Sequence, residues 1–206
     1  MTDNAIERRT FGCLAQLLEY PRPGLIEAAR ECQALMSPTC PEAAALLHQF
    51  CACAEQASPG DMEEAYTATF DLDAACQPYV GYHLFGETYK RSVFLLELKQ
   101  RFLARGFVVK TELPDHMGVM LHFLEICDDA AMAEELVGEA LLPALERMIG
   151  KSEEAEAGAE GDGRHAHPTD RMVYLLPLRA ARLVLQQRQR TIKTQRRNRV
   201  QSLVGQ

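Results

Sequence analysis

Apolar residues recur at helical spacing along almost the whole chain. Ile6, Phe11, Leu14, Leu17 and Leu18 follow Asn4 and Glu7, which together spell a capping box. "YPRPG" at 20–24 stops that helix. A second helix is predicted over about 24–36, ending at Ser37-Pro38, and a third over about 42–57, ending at "SPGD". Asp61 with Glu64 makes another capping box, for a short helix reaching Phe70. "DLDAACQP" reads as a loop, and "YVGYHLFG", 79–86, as a short helix. A long amphipathic helix over about 87–105 carries a stripe of Val93, Phe94, Leu95, Leu98 and Phe102, with Gly106 as its C′ residue. "FVVKTEL" has strand-like residues but no partner strand, so it is expected to be an extended connector.

The stretch "TELPDHMGVMLHFLEIC", 111–127, turns from polar to almost wholly apolar. Pro114 suits a first helical turn, where its missing N–H costs nothing. Glu112 and Asp115 suit the positive end of a helix dipole. Met117, Met120, Leu121, Leu124 and Cys127 form a stripe, and Asp115, Gly118, His122 and Glu125 a narrow polar strip opposite it. A helix over about 130–149 follows Asp128-Asp129. "GKSEEAEAGAEGDGRHAHP", 150–168, is apolar-poor and predicts a flexible acidic linker. A last helix begins near Thr169 or Asp170, with Pro177 kinking it or delaying its start. Residues 188–199 predict a solvated or frayed end. The expectation is an all-α, single-domain helical bundle with its core in residues 1–149. Residues 169–206 supply a helix packing on that core and a basic tail.

Composition narrows the function classes. The chain of 206 residues is 47% hydrophobic, enough to bury a sizeable core. No run approaches the roughly 18–20 apolar residues of a membrane span, and the N-terminus lacks a secretory signal. A cytoplasmic protein without stable membrane insertion is expected, as a monomer or weak dimer. Seven cysteines, an odd number, predict reduced thiols. Net charge is −7, unevenly spread. Residues 169–206 hold nine Lys/Arg against one Asp, a net +8, and residues 1–168 hold 13 against 28, a net −15. Such a body repels nucleic acid and attracts cationic peptides.

Motifs for chemistry are missing. His116 and His122 point away from each other on a helix, and "HAH" at 165–167 falls in the linker, so no metal is expected. There is no Gly-x-Ser-x-Gly, no phosphate loop and no Cys in a catalytic setting. The basic tail has no interleaved aromatics of the kind that bind nucleic acid. What remains is a pair of clusters at two helix starts: Tyr79, Tyr82, His83 and Phe85, with Glu87 just beyond, and Glu112, Asp115 and His116. Aromatic and acidic groups at helix ends suit a peptide-binding groove, apolar pockets taking leucine or phenylalanine and carboxylates taking arginine. Gly118 leaves room for a backbone to approach. The same residues also suit core packing and helix capping, and the pattern does not choose between the two.

"TFDLDAACQPYVGYHLFGETYKRSVFLLELKQRF" followed by "ELPDHMGVMLHFL" resembles the NarJ (nitrate reductase delta subunit) branch of the TorD/DmsD family of redox-enzyme maturation chaperones. The resemblance covers about residues 66–127 and rests on Tyr79 to Gly86 and on Glu112, Pro114, Asp115 and His116. It implies an all-helical fold of the TorD/NarJ chaperone type, no catalytic turnover and no cofactor of its own. It implies binding to the N-terminal leader of a molybdopterin oxidoreductase catalytic subunit, held until the molybdenum cofactor is inserted. Cofactor-biosynthesis proteins are further expected partners. Asp115 and His116 are the positions that the family ties to leader binding. "PYVG" departs from the corresponding stretch of TorD proper, which places the client outside the trimethylamine oxide class. The competing classes are a stable helical adaptor of a redox complex and, last, a small enzyme.

Overall fold

A computed structural model describes residues 3–72, 76–159 and 173–204. The first helix, α1 (Asp3–Leu17), stops where Pro21 and Pro23 interrupt the chain, and α2 (Leu25–Met36) starts after Gly24, which turns the backbone with φ 98°. Next come α3 (Pro41–Gln56) and α4 (Pro59–Phe70), each with proline in its first turn. The short α5 (Val80–Phe85) leads to α6 (Tyr89–Leu103). After a connector without strand structure come α7 (Met117–Ile126) and α8 (Ala130–Glu135). A π-helical turn, Leu136–Leu141, joins α8 to α9 (Leu142–Ala159), and α10 (Leu175–Val204) closes the bundle.

Sequence periodicity located these helices closely, and the differences have local causes. Asn4 lies inside α1, which begins at Asp3, rather than capping it. The box at α4 is built three residues earlier than expected. Ser58 accepts from the Asp61 N–H at 3.2 Å while Asp61 accepts from the Ser58 N–H at 2.9 Å. Asp61 is thus the third residue of the helix, and Pro59 its first. The expected linker is partly helix: α9 continues through 150–159 to Ala159. Alanine and glutamate are good helix formers even where no apolar stripe signals a helix. The rest of that linker, with "HAH", lies outside the described residues. The last helix starts at Leu175, with Pro177 in its first turn. It stays helical to Val204, so 188–199 is not frayed. Gly106 takes the place expected of it, with φ 72°. Gly106 N–H donates to Leu103 and Phe107 N–H to Phe102, both at 3.0 Å, a Schellman closure.

The core has two aromatic centres. Phe102, Phe107 and Phe123 meet where α6, its connector and α7 converge, the Phe102 and Phe123 rings stacked at 4.3 Å. Tyr174, just before α10, inserts among Phe50, Tyr66 and Phe70 at 5.3–5.6 Å. Those rings belong to α3 and α4, so Tyr174 sets where the C-terminal helix lands. α1 packs on α7 and α2, α2 on α3, and α3 on α10. Gly118 leaves room for a backbone, as expected, but the backbone is the chain's own. A Cβ there would lie 3.3 Å from the Ala15 carbonyl of α1. Phe123→Ala removes a fully buried ring and should lower stability by about 3–5 kcal/mol. Denaturant unfolding checks this, with a shifted midpoint and an unchanged slope expected.

Candidate functional site

The two clusters singled out in the sequence are brought together where α5 and α7 begin. The chain passes through Pro78-Tyr79-Val80 and Asp115-His116-Met117 side by side. Val80 N–H donates to Asp115 O at 2.8 Å, and Met117 N–H to Pro78 O at 2.7 Å. Tyr79 and His116 form an isolated antiparallel bridge, with their rings edge-on at 5.6 Å. Pro114 is not in α7. It sits in the turn before the helix, closed by His116 N–H to Leu113 O at 3.0 Å, where its fixed φ suits the second position.

Asp115 is wholly enclosed, at 0% exposure. Its Oδ2 accepts from the Gly81 N–H at 3.2 Å and from Arg91 Nε at 3.1 Å, while Oδ1 has no donor. Gly81 makes this possible, because a Cβ there would lie 2.7 Å from Oδ2. The expectation of a first-turn charge facing a ligand arginine therefore changes: Asp115 ties α5, α6 and α7 together from inside. Arg91 reaches it from α6 and lies over the Tyr79 ring, 5.5 Å from its centre. Sequence reading missed Arg91 and Gly81. A pairing across 24 residues leaves no local signal, although an arginine in the first turn of a helix with no acid there was visible.

His116 is buried as well and caps α7, its Nδ1 accepting from the Gly118 N–H at 3.2 Å. That bond needs Nδ1 unprotonated. Burial lowers the imidazole below its ordinary value, against the raising influence of Glu112 and Glu19. His83 is lowered too, first by burial, and its Nε2 lies 2.6 Å from the Gln77 carbonyl. Arg147 of α9 donates to the His83 carbonyl, so α5 is pinned from both sides. Both histidines are therefore harder to protonate than an exposed one. Tyr79 is half-buried and its hydroxyl donates to Glu112 at 3.3 Å. Burial, then the Glu112 charge, push that phenol up. Glu112 itself is exposed, as is Glu87, while Tyr82 and Phe85 are half-buried, Phe85 against Phe94 at 5.4 Å.

The face that results is a surface with an acidic rim, half-buried aromatics and a buried ion pair behind it. Two clefts among the described residues, of about 380 and 340 Å³, lie elsewhere, one between the π-helical turn, α9 and α10 at Gly138, Glu146 and Gln189, the other beside Glu19, Tyr20 and Arg22. Among the described residues no group of three or more His, Cys, Asp or Glu side chains is gathered as a metal would require. No helix there is long and apolar enough to cross a membrane.

The described residues form an all-helical bundle whose α5–α7 junction is locked by an internal carboxylate. A family profile, the nitrate reductase delta subunit, matches residues 33–154. The chain belongs to that family. It is 35% identical over 126 residues to the probable nitrate reductase molybdenum cofactor assembly chaperone NarJ of Bacillus subtilis (strain 168), covering 58% of this chain and 67% of that relative.

Two measurements follow from this geometry. Asp115→Asn leaves Arg91 without its counter-charge, and breaking such a pair costs about 3–5 kcal/mol. Thermal melts should show that loss in the absence of any ligand. The second concerns His122, whose Nε2 is 3.2 Å from Glu19 and whose Nδ1 is 3.5 Å from Glu125. The hydrogen bond to Glu19 raises the histidine above 6.5, and the same bond lowers Glu19. Stability from a raised histidine is fully present below the unfolded value and is lost as pH rises through the folded one. The stability gap between the protein and His122→Gln should therefore be wide near pH 6 and narrow by pH 8–9. A gap that widened with pH would contradict the pairing.

Proposed function

We propose that this chain is a maturation chaperone for a nitrate reductase-like molybdenum enzyme. In this reading it binds the N-terminal leader of the catalytic subunit at the α5–α7 face, in the cytoplasm, and holds the subunit for molybdenum cofactor insertion. It carries out no turnover; binding is its work. Membership of the delta subunit family and the assembly role in the name of the Bacillus subtilis relative support the reading. The observation that carries it is the joining of the aromatic and acidic clusters into one face, with Tyr79 bonded to an exposed Glu112.

Tyr79, Tyr82 and Phe85 would receive the apolar side chains of the leader, and Glu112, with Glu87 nearby, its cations. Asp115, His116 and His83 support that surface from behind. A body of net charge −15 draws a basic peptide toward it. Exposed ion pairs are weak and screened by salt, so apolar contacts must supply most of the affinity.

Glu112→Gln is the clean test, because its side chain is exposed and Asp115 is not. Leader-peptide affinity should fall about two- to fivefold at low salt and the salt dependence should flatten. The melting temperature should stay within error. Calorimetry at two ionic strengths measures the first and a thermal melt the second. Unchanged affinity together with an unchanged salt slope would move the binding face elsewhere.

A further inference from the structure

We propose that Arg91 is a resident occupant of a guanidinium site on Asp115, and that an arginine of the client binds by displacing it. The inference rests on the leader-binding reading and adds to it the chemistry that the leader must present.

The carboxylate is incompletely used. Both of its donors, Gly81 N–H and Arg91 Nε, fall on Oδ2, and the buried Oδ1 receives none. A guanidinium approaching side-on offers two parallel N–H groups and fills both oxygens. Arg91 makes a single contact from its place on α6, Nε to Oδ2 at 3.1 Å, and leaves Oδ1 unfilled.

Arg91 is also badly placed for its own helix. It lies in the first turn of α6, beside Lys90 and with no acid, so the positive end of the helix dipole repels it. Thr88, at the N-cap, makes no capping bond through its side chain. The fully buried residues of α6 are Leu98 and Phe102, in its C-terminal half. Its N-terminal half leaves Tyr89 and Val93 exposed and follows Gly86, whose φ is 64°. Asp115, together with the Tyr79 ring, thus holds Arg91 inward against the helix dipole, and a ligand arginine free of that repulsion competes on favourable terms.

The surroundings suit an exchange. Glu112 is exposed and bonded to the Tyr79 hydroxyl, and Arg91 lies over that same ring with its side chain 18% exposed. An incoming guanidinium meets a carboxylate and an aromatic face before it reaches Asp115. Arg91 has a short path back to water. Asp115 keeps a cation partner in both states, which avoids a buried unpaired charge.

The test uses the full chain and a labelled synthetic leader peptide of the nitrate reductase catalytic subunit, with a copy in which citrulline replaces each arginine. Citrulline keeps the shape and loses the charge. Arg91→Gln empties the site and should bind the arginine peptide about tenfold more tightly than the natural chain. The citrulline peptide should show no such gain, and the arginine peptide should raise the melting temperature of Arg91→Gln more than that of the natural chain. Arg91→Lys, which keeps a charge but not the guanidinium, should show a smaller gain in the same direction, and it decides the matter if Arg91→Gln does not fold. Equal or weaker binding by variants that still melt cooperatively makes Arg91 a fixed structural partner and overturns the exchange alone. A gain that persists with citrulline overturns it too. No binding by the natural chain sinks the leader-binding reading and the exchange with it.

Discussion

A carboxylate that leaves water needs a cation and hydrogen-bond donors to go with it, and here that carboxylate is Asp115. Its burial dictates the layout of the middle of the chain. Gly81 must be a glycine, or nearly so, for the Asp115 oxygen to reach the α5 backbone. Arg91 must come in from α6. The Asp115 carbonyl takes the Val80 N–H, and two residues on, the Met117 N–H takes the Pro78 carbonyl. One short turn, Leu113 to His116, thereby sets the starts of α5 and α7 and the place of the arginine of α6. The candidate face is the outer side of this lock.

Behind the lock, α7 lies against α1 at close range, and the polar strip on α7 is spent on that contact. Gly118 sits near the Ala15 carbonyl, while Glu125 packs over Gly12 and reaches Arg9 at 3.6 Å. His122 bridges Glu19 and Glu125. These are partly buried pairs and are screened less than surface ones. The strip is therefore an interface between two helices of the bundle.

Charge asymmetry is resolved partly within the molecule. Basic residues of α10 pair with the acidic body, Arg188 with Glu7 at 2.7 Å and Arg196 with Glu134 at 2.6 Å. The Arg188 guanidinium also lies over the Phe11 ring. The tail is thus laid along the bundle by charge as well as by Tyr174 and the apolar start of its helix. Neither of these pairs involves Glu87 or Glu112 of the α5–α7 face.

Helices announce themselves locally, and so the sequence by itself determined most of the architecture. Apolar spacing, proline and glycine stops and charged caps located nearly every element to within a few residues, and Gly106 was assigned correctly to its helix end. Where periodicity was silent, at 150–159, helix propensity continued the helix without an apolar stripe. The residues of the candidate face were also legible as two clusters, with Glu112 an exposed acid as its position suggested. Their roles were not. Whether Asp115 faces water or a neighbour depends on Gly81 and Arg91, which reach it only when three helices have packed. His116 reads the same in sequence as cap, ligand or switch; burial and the Gly118 N–H make it a cap. Spacing along a chain records which residues share a helix face, and only tertiary packing decides what that face meets and which charges lose their water.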